Sequence, residues 1–324
     1  MGKIIAEICQ NHNGDRSLLE EMVKSAAESG ADMVKIQSIW SDDVTLRPRF
    51  EEGQFDEAGV PQVIKRPYQA EKNRLAKLDL TLEDHQHFID LCQKYNVIPL
   101  TTIFARHRIP QVAALNWPER WIKVASYDAA SYSMLRELAE HFDNFIISTG
   151  ASYDEEIKQT AALMKSLGKN FVFLHCVTSY PNTLQMCNLT RQEWLRQHTD
   201  TVGWSDHTKI VDDGIIASKI ALYLGANFVE RHFTILESDQ TKDGPVSITP
   251  TLLKELADFR HLSKEEQLAH IESVLPDWKV ALGESTRDMT PVELLNRDYY
   301  RGRFASPKAN QKTAHEDEWV YNWD

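Results

Sequence analysis

Two runs decide how this chain is read: Val202-Gly203-Trp204-Ser205-Asp206-His207-Thr208 and Asn227-Phe228-Val229-Glu230-Arg231-His232-Phe233-Thr234. Each is short, β-prone and bounded by turn formers, and so reads as a buried strand. Between them, Asp213 to Leu224 carries Ile215, Ile216, Ile220, Ala221 and Leu224 at helical spacing. Strand, helix and strand over this length make a βαβ unit with parallel strands. The C-terminal ends of the two strands then share one sheet edge, where His207 and His232 face each other. A lone histidine at a strand end is commonly structural. Two at matching ends of adjacent strands point to a divalent-metal site, because neutral imidazoles ligate such ions well. The turn-forming segment Lys242-Asp243-Gly244-Pro245-Val246-Ser247 follows on the same edge and can bring a carboxylate over the metal.

The alternation extends through the chain. Strands are expected at Ile4-Ile5-Ala6-Glu7-Ile8, Met33 to Gln37, Val97 to Thr102, Trp121 to Ala125, Phe145 to Ser148 and Phe171 to His175. Amphipathic helices are expected from Leu18 to Ser29, Tyr132 to Phe142, Asp154 to Leu167 and Pro250 to about Leu262, with shorter ones at Pro110 to Leu115 and Thr190 to Gln197. Thr81-Leu82-Glu83-Asp84 offers a capping-box start for a helix running to Tyr95. Eight strands alternating with helices predict a (β/α)₈ TIM barrel. A doubly wound open sheet usually opens with G-x-G-x-x-G, and the first turn here, Cys9-Gln10-Asn11-His12-Asn13-Gly14, is not that.

Residues 1–285 are expected to form the barrel domain. They include a polar insertion, about 41–78, too long for an ordinary connection and therefore a lid or binding loop. Residues 286–324 read as a C-terminal extension without a core of its own. Trp319, Tyr321 and Trp323 argue that it docks on the barrel or on a second subunit.

The chain has 324 residues, 42% of them hydrophobic, and a formal net charge of −12. This acidity, without a long basic run, argues against nucleic acid as a partner. Cys9, Cys92, Cys176 and Cys187 show no Cys-x-x-Cys spacing, so buried free thiols in a reducing cytoplasm are expected. The chain opens directly on a strand, with no visible signal peptide and no apolar run long enough for a bilayer.

In such a barrel, function gathers at the C-terminal strand ends. The polar residues there are Glu7, Asn11, His12 and Asn13; Lys35 and Gln37; Lys123, Ser126 and Asp128; Ser148; His175, Thr178, Ser179 and Tyr180; Ser205 and His207; Arg231 and His232. A lysine inside an apolar strand is costly to bury unless it meets an anion. Lys35 and Lys123, surrounded by serines, suit a phosphate or carboxylate. The structural alternative is that they pair with Glu7 or Glu230 and fill the barrel. A Schiff-base lysine is a further option.

These motifs resemble the N-acetylneuraminate (sialic acid) synthase family. The resemblance rests on Ile4 to Ile8 with Asn11-His12-Asn13-Gly14, Ala31 to Gln37, Ile147-Ser148-Thr149-Gly150, Leu174 to Pro181, Ser205-Asp206-His207-Thr208 and Glu230 to Thr234. It runs in order from about residue 4 to about residue 260. It implies a (β/α)₈ barrel that condenses phosphoenolpyruvate with an N-acetylated hexose, such as N-acetylmannosamine, to give a nonulosonic acid and phosphate. It also implies a divalent metal, Mn2+ or Mg2+, on His207 and His232, acting as Lewis acid on the sugar aldehyde. By the same resemblance, Lys35, Lys123, Ser126, Ser148, Thr178 and Ser205 surround phosphoenolpyruvate. Glu7, Asp128 and Asp243 become the candidate catalytic groups, and Asn11, Gln37 and Tyr180 the sugar-binding ones. A homodimer is expected.

Three departures stand out. Many members carry Gly-Ser-Gly-Glu after the fourth strand, where this chain has Ala125-Ser126-Tyr127-Asp128. Many place Asp in Gly-Pro-Asp-His, where here Asp243 precedes Gly244-Pro245. The family's antifreeze-like domain, which in relatives lends an arginine to the partner subunit's sugar site, is expected to be replaced by the short tail. Arg297, Arg301 and Arg303 are the candidate substitutes. One rival reading is condensation with a sugar phosphate, whose second phosphate site would draw on Arg47, Arg49, Arg66 or Arg74. Another is a sugar-binding relative without turnover.

Overall fold

The computed structural model describes residues 2–309 and 318–324. Eight parallel strands close into a barrel: β1 (Lys3–Cys9), β2 (Met33–Ser38), β3 (Ile98–Ile103), β4 (Trp121–Val124), β5 (Asn144–Ser148), β6 (Asn170–Cys176), β7 (Val202–Asp206) and β8 (Phe228–His232). Neighbours follow chain order, and β8 closes onto β1. The expected (β/α)₈ barrel is what forms.

Alternation along each strand sorts side chains into two environments. Odd-numbered positions of β1 and β2 and even-numbered positions of β3, β5 and β6 point inward at the base, where Ile5, Met33, Leu100, Ile146, Val172, Leu174 and Phe228 form a small apolar cluster. The intervening positions pack outward against the helices in one large core that includes Ala6, Val34, Ile147, Trp204 and Val229. One step above the basal layer, the inward positions turn polar: Glu7, Lys35, Thr102, Lys123, Ser148, Ser205 and Glu230. The registers fix who meets whom. Glu7 lies beside both His232 and Lys35, Glu230 beside Ser205, and Thr102 beside Lys123. At Gly203 an added Cβ would sit 2.2 Å from the Phe228 carbonyl oxygen, so β7 and β8 approach this closely only with glycine there.

Helix α1 (Arg16–Glu28) is capped by Asp15, which accepts from the Ser17 and Leu18 amides. Helix α2 (Leu82–Lys94) starts in the expected capping box between Thr81 and Asp84. The helix expected between the two histidine strands is broken. Ile210–Asp213 forms one turn, Gly214 takes φ +55, and the helix proper is α3 (Ile216–Tyr223). Only a glycine enters that left-handed conformation without strain, so the apolar periodicity overran a break.

The insertion is more ordered than a plain loop. It holds short helices at Arg49–Glu52 and Tyr68–Leu75 and a hairpin of Gln54–Phe55 with Pro61–Val63. The C-terminal extension contains a helix that periodicity did not suggest, α4 (Pro291–Tyr300). Its signal stands in the sequence as Thr290-Pro291-Val292-Glu293, a capping box with proline at the first turn.

The tail crosses the barrel mouth. Thr45 N–H donates to the Arg303 carbonyl and Ala305 N–H to the Asp43 carbonyl, so the tail lies against the insertion. Farther on, Ser306–Pro307 pairs with Trp319–Val320, and the Asn322 amide donates to the Phe104 carbonyl at 2.9 Å. Trp319 is buried, while Tyr321 and Trp323 stack on each other at 4.7 Å. The extension was expected to dock on the barrel or on a second subunit; its described residues lie on the mouth of their own barrel.

Candidate active site

A cavity of about 450 Å³ opens at the C-terminal ends of the strands. Its floor is the polar layer of the barrel. The Lys35 ammonium pairs with the Glu7 carboxylate and lies 3.4 Å from the Thr102 hydroxyl. The Lys123 ammonium donates to Glu230 Oε1 at 3.1 Å, and the Ser205 hydroxyl donates to the same oxygen at 2.8 Å. Both ion pairs that the sequence left open as structural alternatives are therefore formed, and all four residues still face the cavity.

Burial lowers the Lys35 ammonium to about 7, with Glu230 opposing and Lys123 adding to the shift. Burial also works against the charge on Glu230, but Lys123 and then Lys35 outweigh it and hold its carboxyl well below the usual range.

The cavity is surrounded by polar atoms that lack partners. The Ser148 hydroxyl, Glu230 Oε2 and His232 Nδ1 are buried without a hydrogen bond, all on residues that line the cavity. Such atoms are rare in folded proteins, and a group of them marks a place for a ligand. Ser126 accepts from the Gly150 amide at 3.2 Å and contacts Cys176 Sγ at 3.0 Å.

On the β1, β7 and β8 side the two histidines meet as expected, with ring centroids 5.5 Å apart. His207 Nδ1 lies 3.2 Å from the Val177 carbonyl oxygen, so in the tautomer that donates there its Nε2 is free. Burial, and then the neighbouring His232 charge, lower His207 to about 3, and burial lowers His232 as well. Both rings are therefore neutral near pH 7 and carry lone pairs.

Cys9, His232 and Asp243 bring their donor atoms within 4.8 Å of one another. Cys9 Sγ lies 3.0 Å from Asp243 Oδ2. His232, with its orphaned Nδ1, the Asp243 carboxylate and the Cys9 sulfur are a donor set that fits a divalent cation; His207, expected beside His232 as the second ligand, is not among the donors that meet there. Cys9 was read only as a buried thiol. It reaches this cluster because it ends β1 at φ +54, an uncommon conformation for a side-chain-bearing residue. Nothing in the periodicity reveals that turn.

Of the residues singled out in sequence, Glu7, Lys35, Gln37, Lys123, Ser126, Asp128, Ser148, Tyr180, Ser205, His207, His232 and Asp243 line this one cavity. Tyr180 packs on His207 with ring centroids 4.0 Å apart. Asn11 and Thr178 lie behind the wall. Asn11 clamps loops, donating to the Phe233 carbonyl at 2.8 Å and to the Ser247 hydroxyl at 3.1 Å. The Thr178 backbone holds α4, accepting from Asn296 at 2.7 Å and donating to Glu293 at 3.3 Å. Asp128 faces the cavity but is tied to the tail, since its Oδ1 accepts from Ser131 at 2.9 Å and from Asn322 at 3.0 Å. Burial raises its carboxyl above the usual value.

Among the tail arginines, Arg303 lines the cavity, whereas Arg297 and Arg301 pair with Glu156 at 2.6 and 3.3 Å. In the insertion, Arg66 and Arg74 line it. Arg47 and Arg49 are occupied elsewhere, by the Tyr299 carbonyl at 2.6 Å and by Asp298 at 2.6 Å.

Closed parallel barrel, polar upper layer and lined mouth together define a (β/α)₈ barrel built to hold a ligand at its C-terminal face. The chain belongs to the NeuB family, whose model matches residues 22–269, and it is an enzyme of that type. It is 30% identical to the N,N'-diacetyllegionaminic acid synthase of Legionella pneumophila, covering 78% of this chain and 69% of that one. It is 31% identical to the N-acetylneuraminate-9-phosphate synthase of Drosophila melanogaster, over 78% of this chain and 65% of that one. Among solved structures, the N-acetylneuraminic acid (sialic acid) synthetase of Leptospira borgpetersenii superposes with a TM-score of 0.67 at 24% identity, covering 91% of this chain and 90% of that one.

Proposed function

We propose that this enzyme condenses phosphoenolpyruvate with an N-acetylated hexose, releasing phosphate and a nonulosonic acid. The observation that carries the reading is the stacking of two unlike layers in one cavity. Buried lysines and an unpartnered serine hydroxyl lie at the floor, and two neutral imidazoles with a carboxylate lie at the rim. The names of the relatives agree with it.

In this reading Lys123, Ser126, Ser148 and Ser205 hold phosphoenolpyruvate, with Lys35 completing the cationic floor and Thr178 supporting it from behind the wall. The anion replaces part of the Glu7 and Glu230 pairing, so the lysines keep a counter-charge when the substrate leaves. His207, His232 and Asp243 would hold Mn2+ or Mg2+, which supplies Lewis acidity at the sugar aldehyde. Gln37 and Tyr180 face the sugar, and Asn11 stiffens the loop that carries Asp243.

The methylene carbon of phosphoenolpyruvate forms the new bond to the aldehyde carbon, and the aldehyde oxygen takes a proton. Water adds to the enol carbon, and the bond from that carbon to the phosphate oxygen then breaks. Glu7, against the Lys35 ammonium, is placed to move the water proton. Asp243 is a carboxylate at neutral pH, because His232, Cys9 and Lys242 outweigh its burial. Asp128, committed to Ser131 and Asn322, serves the wall more than the proton transfer. The free buried thiols fit a cytoplasmic enzyme, and a homodimer is part of the same reading.

The test is incubation of the protein with phosphoenolpyruvate, manganese and either N-acetylmannosamine, its phosphorylated form or the di-N-acetylated analogues. Phosphate release with at least one sugar is expected, and none with any of them defeats the reading.

A further inference from the structure

Strand β1 breaks its own alternation at its end. Its pairing with β2 sets Glu7 beside Lys35 and then Cys9 beside Ile36, so β1 carries one residue more than its neighbour there. Cys9 takes φ +54, and its amide donates to Glu7 Oε1 at 2.6 Å. An extra residue of this kind re-aims a side chain, and such bulges recur beside active sites. Here Glu7 and Cys9 both line the cavity.

The Cys9 sulfur joins donors from two other segments. Its Sγ stands 3.0 Å from Asp243 Oδ2, and His232 Nδ1 stands 3.7 Å from the same oxygen. Ligands held on one ion at about 2.0–2.3 Å lie about 3–4 Å from one another. Both separations match that spacing before any ion arrives. His232 Nδ1 is also buried without a hydrogen-bond partner, so its lone pair or proton has nothing else to meet. The loop that brings Asp243 is held from behind. Asn11 donates to the Ser247 hydroxyl at 3.1 Å, and that hydroxyl donates to the Asp243 carbonyl at 2.7 Å.

We infer that Cys9 is a metal ligand as well as part of the cavity wall, and that its thiolate makes the site select Fe2+, Co2+ or Zn2+ over Mg2+. The sulfur–metal bond forms as the thiol proton leaves to solvent. Thiolate, carboxylate and the neutral imidazole that ligation requires then bring a dication to zero net charge. A neutral assembly is the form that costs least to bury. Mg2+ favours an octahedral shell of oxygens, whereas sulfur and imidazole suit the later first-row ions. The inference rests on the metal-assisted condensation proposed above and narrows its ion.

The experiment uses the full chain freed of metal by a chelator, with Co2+ as the probe and no sugar. Wild type should gain a near-ultraviolet thiolate-to-cobalt charge-transfer band, and Cys9→Ser should lack it. Calorimetry should show Co2+ and Zn2+ affinity falling at least about tenfold in that variant, with Mg2+ affinity changing far less. A second measurement needs no variant. Alkylation of the wild type, mapped by mass spectrometry, should reach Cys9 without metal and be blocked by Co2+. Cys176, which lines the same cavity beside Ser126, should label equally in both states. A wild type without the band, a band that survives Cys9→Ser, or Cys9 labelling unchanged by Co2+ each removes the sulfur from the ligand set. Equal losses of Co2+ and Mg2+ affinity overturn the selectivity, since the thiol would then only pack. These readouts stand apart from turnover, so failure of the condensation with every sugar leaves them to be judged separately.

Discussion

At the scale of single residues, the facing of His207 and His232 follows from arithmetic on strand ends. Adjacent parallel strands with period-two alternation put matching positions on one face, and the ring separation of 5.5 Å bears this out. Glu7, Lys35, Lys123, Ser148 and Ser205 were legible for the same reason. Asn11 and Thr178 were not, because they lie in turns beyond the strands, where alternation no longer says which way a side chain points. Cys9 escaped because its role depends on one positive φ. His207→Ala and His232→Ala are each expected to lower turnover at least about 100-fold, more than loss of an outer partner of a ligand commonly does. Manganese binding measured by calorimetry on the folded variants should weaken in parallel. Unchanged manganese affinity in either variant would remove that histidine from the ligand set.

At the scale of elements, β7 and β8 owe their alignment to a contact on their outer face. Arg231 and Asp206 are fully buried and paired at 2.5 Å, and Arg231 also donates to the Thr208 hydroxyl at 2.9 Å and its carbonyl at 3.1 Å. Ser218 on α3 donates to Asp206 at 2.6 Å, which ties the helix into the same clamp. Both charges sit one residue before a histidine, so the clamp fixes the two rings from behind. In sequence Arg231 stood among the strand-end polar groups with no sign of its direction; alternation turns it outward when His232 turns in. Arg231→Ala leaves Asp206 buried and unpaired, which costs about 3–5 kcal/mol. Chemical denaturation should report that loss. A change below about 1 kcal/mol would mean that the pair is replaceable at little cost.

At the scale of the whole molecule, the insertion, the barrel and the tail act as one wall around the mouth. This explains a departure that sequence left open. Where many relatives carry Gly-Ser-Gly-Glu, Tyr127 stacks on Tyr300 at 4.9 Å and Asp128 accepts from Asn322. A glycine has no ring to stack, so two of the three changed positions after β4, Tyr127 and Asp128, serve to hold the extension. The barrel was readable from periodicity because every strand and helix repeats the same local rule. That the tail docks was readable from its aromatics; the partners it docks on were not, because they join residues far apart in sequence, such as Asp128 with Asn322 and Glu71 with Arg303. Removing residues 318–324 takes away Trp319 and Asn322 but none of the barrel strands. The shortened protein should remain folded by circular dichroism, since its eight strands and both inner layers are intact. Its KM for the sugar should rise at least about tenfold, as expected when a positioning wall shifts. The KM for phosphoenolpyruvate, bound at the barrel floor, should move less. Equal changes in both constants would show that the extension supports the whole barrel and has no particular part in closing the sugar's end of the cavity.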